Sequence, residues 1–254
     1  MADCRLKVFR CDATKKREPR FDTFTVAVRE GMTVQQALIA VQENEDPSLA
    51  FRYSCRGAVC GSCGVVINGK PDLACRVQVS RFDGEDIVVE PLPNLEIIKD
   101  LYVDMAPFWE KYEAVRPWLI SNESAGERER PQSARERMIY DRGVNCVLCA
   151  CCYGACPVIA REGRYLGPAA LAKLFRFLCD SRDSRRLSDL APLNNETGLW
   201  GCDTILSCID ACPKDVRPTD GIAAARRRMV GMKIKSLFAH PPAAKERTPG
   251  RKAE

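Results

Sequence analysis

Fifteen cysteines beside a single histidine constrain this 254-residue chain more than any other feature of its sequence. No run approaches the roughly 18 consecutive apolar residues of a spanning helix, and Met1 to Cys11 lacks the apolar core of a secretory signal. The chain is therefore expected to stay inside the cell, in a compartment that keeps thiols reduced, where such a cysteine count points to metal or cluster ligation rather than disulfides. The one histidine, His240, precedes Pro241 and Pro242 and reads as a solvated tail residue. Without a second imidazole, this polypeptide alone cannot supply a Rieske centre or bis-histidine haem, and Ser-His catalysis is not expected from it.

The first constellation is Cys55, Cys60 and Cys63, closed by Cys75. Its first three members show the plant-type C-x4-C-x2-C spacing of a [2Fe-2S] centre, whose fourth thiolate comes from a later segment. Four thiolates around two irons need a loop that curls around the inorganic sulfurs. Gly57, Gly61 and Gly64 are expected to allow this by taking positive φ and bringing backbone N–H groups close to sulfur. Structural zinc is the competing reading, but zinc sites usually pair C-x2-C with another C-x2-C or with histidines.

Two further runs become legible when laid over one another. Cys146, Cys149, Cys152 and Cys156 with Pro157 follow the bacterial ferredoxin pattern C-x2-C-x2-C-x3-C-P. Cys202, Ile205, Cys208 and Cys212 with Pro213 repeat that spacing, with isoleucine at one ligand position. In two-cluster ferredoxins the fourth cysteine of each run ligates the other run's cluster. That rule gives Cys146, Cys149, Cys152 and Cys212 a [4Fe-4S] cubane, and leaves Cys156, Cys202 and Cys208 with three thiolates. An apolar side chain in place of the fourth ligand predicts a [3Fe-4S] centre. Of the other cysteines, Cys4, Cys11 and Cys179 read as small buried hydrophobes. Cys151 is expected to pack beside the cubane, although spacing alone does not choose between it and Cys152.

The surrounding sequence suggests two units. Arg5 to Arg10 and Asp22 to Val28 alternate apolar and polar residues about a turn-prone segment, a β-hairpin signal. Thr33 then caps a helix with Val34, Ala37, Leu38 and Val41 on one stripe, and strands are expected at Gly64 to Ile67 and Asp86 to Glu90. Residues 1–105 thus read as a β-grasp domain. Beyond Leu101 the pattern is helical, with Phe108, Tyr112, Val115 and Leu119 on one side of a segment broken by Pro117, then a polar connection over 121–137 and helices at Pro168 to Cys179 and Thr219 to Phe238. Residues 106–240 read as a helical domain and 241–254 as a basic, disordered tail, an α+β chain overall.

The formal net charge of +5 is a C-terminal property. Residues 1–105 carry 14 basic and 16 acidic side chains, whereas residues 214–254 carry 11 basic and 4 acidic. Solubility and contact with an anionic membrane surface both fit this end. No aromatic interleaving accompanies the charge, so a nucleic-acid partner is not expected.

A plant-type ferredoxin domain joined to a bacterial-ferredoxin-like helical domain, with these three constellations in this order, resembles the iron–sulfur subunit of the succinate dehydrogenase/fumarate reductase family. The likeness runs from about residue 5 to 238 and includes Gly167-Pro168-Ala169-Ala170, Arg176-Phe177 and Asp180-Ser181-Arg182-Asp183. The resemblance implies a flavoprotein partner holding FAD and the dicarboxylate site, and a cytochrome b membrane anchor holding quinone, often with haem b. It also implies the [2Fe-2S] nearest flavin, the [3Fe-4S] nearest quinone, and a place on the cytoplasmic face of the cell membrane. Relatives that use ubiquinone commonly carry tryptophans after the first Cys-Pro and a histidine after the cysteine matching Cys202. Here stand Ala160, Arg161 and Asp203, which fits a menaquinone-linked, fumarate-reducing complex. Pro157, Ile205 and Arg226 are candidates to border the anchor, or equally to be cluster packing and helix surface.

The residues point the same way: a chain with three electron carriers and no acid–base equipment conducts electrons for partners that do the chemistry. The remaining alternatives are an iron–sulfur subunit serving another donor such as a thiol, and a soluble multi-cluster ferredoxin.

Overall fold

The computed structural model describes residues 3–15, 17–121 and 129–238. His240 and the basic tail at 241–254 lie outside the described residues. Strand β1 (Asp3–Asp12) buries every second side chain, including Cys4, Leu6 and Val8, as a half-buried strand must. It pairs antiparallel with β2 (Arg17–Ala27) from Asp3↔Ala27 to Asp12↔Arg17, a hairpin longer than the alternation alone suggests. Helix α1 (Val34–Asn44) starts on a capping box between Thr33 and Gln36 and buries Val34, Ala37, Leu38 and Val41. After the cysteine loop, β3 (Gly64–Ile67) turns at Asn68-Gly69, both left-handed at φ 44° and 77°, into β4 (Lys70–Leu73).

Strand β5 (Ile87–Glu90) runs parallel to β1, and β6 (Ile97–Lys99) and β7 (Tyr102–Val103) complete the mixed sheet in the order β4-β3-β5-β1-β6-β7, with β2 on β1. Strands β4, β6 and β7 carry no signal in the sequence: β4 reads Lys-Pro-Asp-Leu, without the apolar run of β3 and β5, and two or three residues are too few for a period of two to show in β6 and β7. Arg10 sits on the inward side of β1 and is buried. It donates to Asp100 at 3.1 Å, Asp46 at 2.5 Å and Ser48 at 2.9 Å, so its charge is compensated rather than stranded.

From residue 106 onward the described residues form no strand. Helix α2 (Ala106–Ala114) buries Phe108, and Val115 just beyond it is buried too. The predicted stripe stops there: Leu119 lies past Pro117, outside the helix, and is exposed. Helix α3 (Ala134–Met138), capped by Ser133 and Glu136, occupies part of what read as a plain connection. Short helices α4 (Asp141–Val144), α5 (Cys151–Gly154) and α6 (Pro157–Arg161) lead to α7 (Gly167–Leu178). Then α8 (Leu187–Leu190) and α9 (Ser207–Asp210) precede the long α10 (Pro218–Phe238), which packs on α7.

The core of this helical part also receives Leu92, Leu95 and Val103 from the sheet-bearing part. The chain thus changes structural class near residue 105 while its two cores interlock. Asp180, buried at the end of α7, accepts from Arg182 at 2.8 Å, Arg176 at 3.0 Å, the Tyr140 hydroxyl at 3.0 Å and Gln132 at 3.2 Å, which ties the connection to the helical core.

Candidate metal centres

The loop from Cys55 to Cys63 wraps its own sulfurs with backbone donors. Gly57, Val59 and Cys60 N–H groups approach Cys55 Sγ at 3.4, 3.3 and 3.2 Å, and Ala58 N–H approaches Cys75 Sγ at 3.2 Å. These bonds favour the thiolate and lower the Cys55 pKa to about 6. Cys63 lies beneath the loop beside Cys75, and burial pushes it up to about 12. A bound iron would reverse that cost, since coordination deprotonates a thiol outright.

Gly57 brings its N–H to sulfur as expected, but of the three glycines only Gly61, at φ 75°, takes the left-handed conformation. The other left-handed residues here are Arg56 and Ala58, both at φ 57°, while Gly57 and Gly64 keep negative φ. The curl therefore depends on two ordinary residues held in strained conformations.

The second and third runs are structural as well as sequence repeats. Leu148 and Ala150 are left-handed, and so are Thr204 and Leu206 at the same offsets from Cys146 and Cys202. Helices α5 and α9 begin at matching positions in the two runs. Each repeat sends its last cysteine to the other's neighbourhood. Cys212 lines one cavity with Cys146, Cys149 and Cys152, walled by Ala169 and Ala172 of α7. Cys156 and Cys208 are buried, and each lies within electrostatic reach of the other and of Cys202. Ile205 holds the position matching Cys149 and is 55% exposed, so no fourth thiol is offered there.

Among the described residues, no three His, Cys, Asp or Glu side chains converge tightly enough for a single metal ion. The sulfurs of Cys146, Cys149, Cys152 and Cys212 line a shared cavity instead. The donor set is thiols throughout, and desolvation raises Cys146, Cys152, Cys156 and Cys208. Such sites favour a group that takes up the negative charge of several thiolates. The nearest cation is Lys173 of α7, which donates to the Cys146 carbonyl at 3.4 Å and opposes the effect of burial on that thiol.

Cys151 is fully buried and donates its thiol to Cys149, which lowers Cys149 and raises Cys151 well above its ordinary value. It packs beside the quartet. Cys4 is buried in the sheet core, as expected of a small hydrophobe, whereas Cys11 and Cys179 are half-buried.

Residues 5–110 match the family model described as a 2Fe-2S iron-sulfur cluster binding domain, and residues 144–216 match a 4Fe-4S dicluster domain. The chain is 38% identical over 228 residues to the succinate dehydrogenase iron-sulfur subunit of Paracoccus denitrificans, covering 89% of this chain and 88% of that protein. It is 33% identical over 229 residues to the fumarate reductase iron-sulfur subunit of Haemophilus influenzae, covering 85% and 89% respectively. The chain belongs to the succinate dehydrogenase/fumarate reductase iron–sulfur subunit family. A solved chain of the Mycobacterium smegmatis Sdh1 complex in the apo form superposes on this iron–sulfur subunit with a TM-score of 0.82 at 25% identity, covering 91% of this chain and 97% of that chain.

Several residues of this iron–sulfur subunit that shape the sites carry no spacing signal. Asn94, left-handed at φ 63°, donates to the carbonyls of Tyr153 (3.2 Å), Gly154 (3.0 Å) and Cys156 (3.2 Å), closing the end of α5 from the other part of the fold. Arg76, next to Cys75, donates to the Pro213 carbonyl next to Cys212. Arg226 of α10 donates to the carbonyls of Leu199 (2.7 Å) and Cys202 (2.9 Å) and lies over the Trp200 ring.

Proposed function

We propose that this subunit conducts single electrons through three centres: a [2Fe-2S] on Cys55, Cys60, Cys63 and Cys75, a [4Fe-4S] on Cys146, Cys149, Cys152 and Cys212, and a [3Fe-4S] on Cys156, Cys202 and Cys208. The crossing of Cys212 and Cys156 between the two repeats carries this reading. When bound, such clusters supply one-electron transfer without moving atoms. The polypeptide holds the sulfurs, aims backbone N–H groups at them, and excludes water with α7 and α10.

At one end of the chain of centres, the partner is a flavoprotein carrying FAD and the dicarboxylate site. The exposed loop of the first centre, with Val59 69% exposed at its tip, supports a docking there. At the other end, the partner is a cytochrome b membrane anchor with quinone, and haem b where the anchor carries it. Exposed Trp200, Ile205 and Leu206 on the loop of the third centre support that contact. So do exposed Val230, Ile234, Leu237 and Phe238 on α10, among Arg227, Arg228, Lys233 and Lys235. No described helix is long and apolar enough to cross a membrane; in this reading the subunit is held by the anchor, at the cytoplasmic face. Arg161 and Asp203 pair with each other at 2.7 Å, which supports a menaquinone-linked complex whose quinone site lies mostly on the anchor.

Low-temperature EPR on membranes expressing this chain with its partners tests the proposal. An oxidised [3Fe-4S] signal that vanishes on mild reduction, followed by a [2Fe-2S] signal with succinate or dithionite, is expected. Iron analysis fitting two cubanes, or zinc in place of iron, would overturn the ligand assignment.

A further inference from the structure

Two buried hydroxyl groups that the electron path does not need as ligands lie beside the sulfurs of the third centre. Thr219, 4% exposed in the first turn of α10, has its Oγ1 at 2.9 Å from Cys208 Sγ. Tyr165, 1% exposed, sits beside Cys202, near enough for its phenol to interact with that sulfur. Gly201 makes room for that ring: a β-carbon there would stand 2.7 Å from Tyr165 Cδ2. The Thr204 backbone N–H bonds Cys202 at 3.4 Å, as backbone N–H groups bond Cys55, Cys75 and Cys212, so the third centre differs in having hydroxyl groups beside its sulfurs as well.

We propose that Thr219 and Tyr165 are positioning residues that raise the reduction potential of the centre held by Cys156, Cys202 and Cys208. The proposal rests on the ligand assignment above. A cysteine bound to iron has lost its proton, so in each of these pairs the hydroxyl must be the donor. Reduction adds one electron to the centre and neither makes nor breaks a bond. A hydroxyl dipole aimed at sulfur interacts more favourably with the more negative, reduced form. Burial keeps water from competing, so the difference between the two forms is not screened away. The amino-terminal end of the 21-residue α10, with its positive dipole end at Cys208, acts in the same direction. The outcome is a centre that takes electrons readily and holds them at the end opposite the first cluster.

The test is an EPR-monitored redox titration of the assembled complex with Thr219→Val, Tyr165→Phe and Thr219→Ser, alongside iron analysis. Valine and phenylalanine keep shape and remove only the hydroxyl. Each is expected to lower the midpoint of the third centre, and together they should shift its reduced-to-oxidised ratio roughly tenfold, about 59 mV for a one-electron couple. Midpoints of the other two centres should stay in place, and serine should restore the third. Wild-type midpoints in both single variants, with iron retained, would overturn the proposal. So would loss of the third centre's iron in Thr219→Val coupled with an unshifted midpoint in Tyr165→Phe, because Thr219 would then only hold its loop. Absence of a [3Fe-4S] signal from the wild-type complex would instead sink the ligand assignment, and the tuning with it.

Discussion

Gly64 lies so close to Cys149 that a β-carbon on the glycine would stand 2.6 Å from the Cys149 carbonyl oxygen and 3.5 Å from Cys151 Sγ. Gly61 has the same relation to the Val147 carbonyl and the Cys149 backbone. The loop proposed to hold the first centre thus touches the loop proposed to hold the second through bare backbone. Cys63 and Cys149 sit on either side of that contact.

Gly64→Ala is expected to force these loops apart, because the atom in the way is backbone and cannot rotate aside. Overpacking of this kind costs about 1–3 kcal/mol. Magnetic interaction between the first and second centres should weaken, which EPR power saturation measures, and electron passage between them should slow. Gly69→Ala adds a β-carbon into open space and is the control for this contact, although its left-handed φ carries a strain of its own. Equal saturation behaviour in wild type and Gly64→Ala would show that the contact does not set the separation.

Ile205→Cys restores the ligand position that matches Cys149 in the other repeat. Ile205 is exposed, so the change repacks no core. The expected result is a third centre with four irons: the oxidised [3Fe-4S] signal disappears and iron content per chain rises by one. Retention of the signal would mean that the loop cannot bring residue 205 to the centre.

Asp180→Asn breaks a buried charge network. Burial alone would raise the Asp180 carboxyl, but hydrogen bonds from Arg182 and Tyr140 override it and hold the group well below the usual carboxylate range. A depressed folded-state pKa stabilises the fold above the unfolded carboxyl value of about 3.9, and that stability is lost as pH falls toward the folded pKa. Asparagine leaves Arg176 and Arg182 without their anion, at a cost of about 3–5 kcal/mol by analogy with broken buried pairs. Thermal unfolding at neutral pH should show the loss, and the gap between wild type and variant should narrow below about pH 4.

Asn94→Ala removes three hydrogen bonds to the carbonyls that end α5 and places a β-branch-free but ill-suited residue at positive φ. The expected destabilisation is about 1–3 kcal/mol. Loss of visible absorbance in the presence of a chelator should begin at a lower temperature than in wild type. An unchanged onset would show that the tie is redundant.

The hairpin of β1 and β2, the capped helix at Val34–Asn44 and the helices α7 and α10 were legible because each depends on neighbours close in sequence: alternation, a cap, an apolar stripe. The cysteine groupings were legible for the same reason, since a ligand spacing is a short-range chemical pattern. Pro117 breaks the apolar stripe before Leu119, as its fixed ring implies, whereas positive φ falls on Arg56 and Ala58 rather than on Gly57 and Gly64, which the residue types alone do not reveal.

The order of cysteines and the missing thiol at Ile205 are determined by the sequence alone, because which atoms can bind iron is a property of the residue types and their spacing. Only the tertiary structure decided that Asn94 and Arg76 bind the two parts together, and that Thr219 and Tyr165 come to the sulfurs of one site. Those contacts join residues far apart in the chain, and they form only once burial of the two cores has set which surfaces meet.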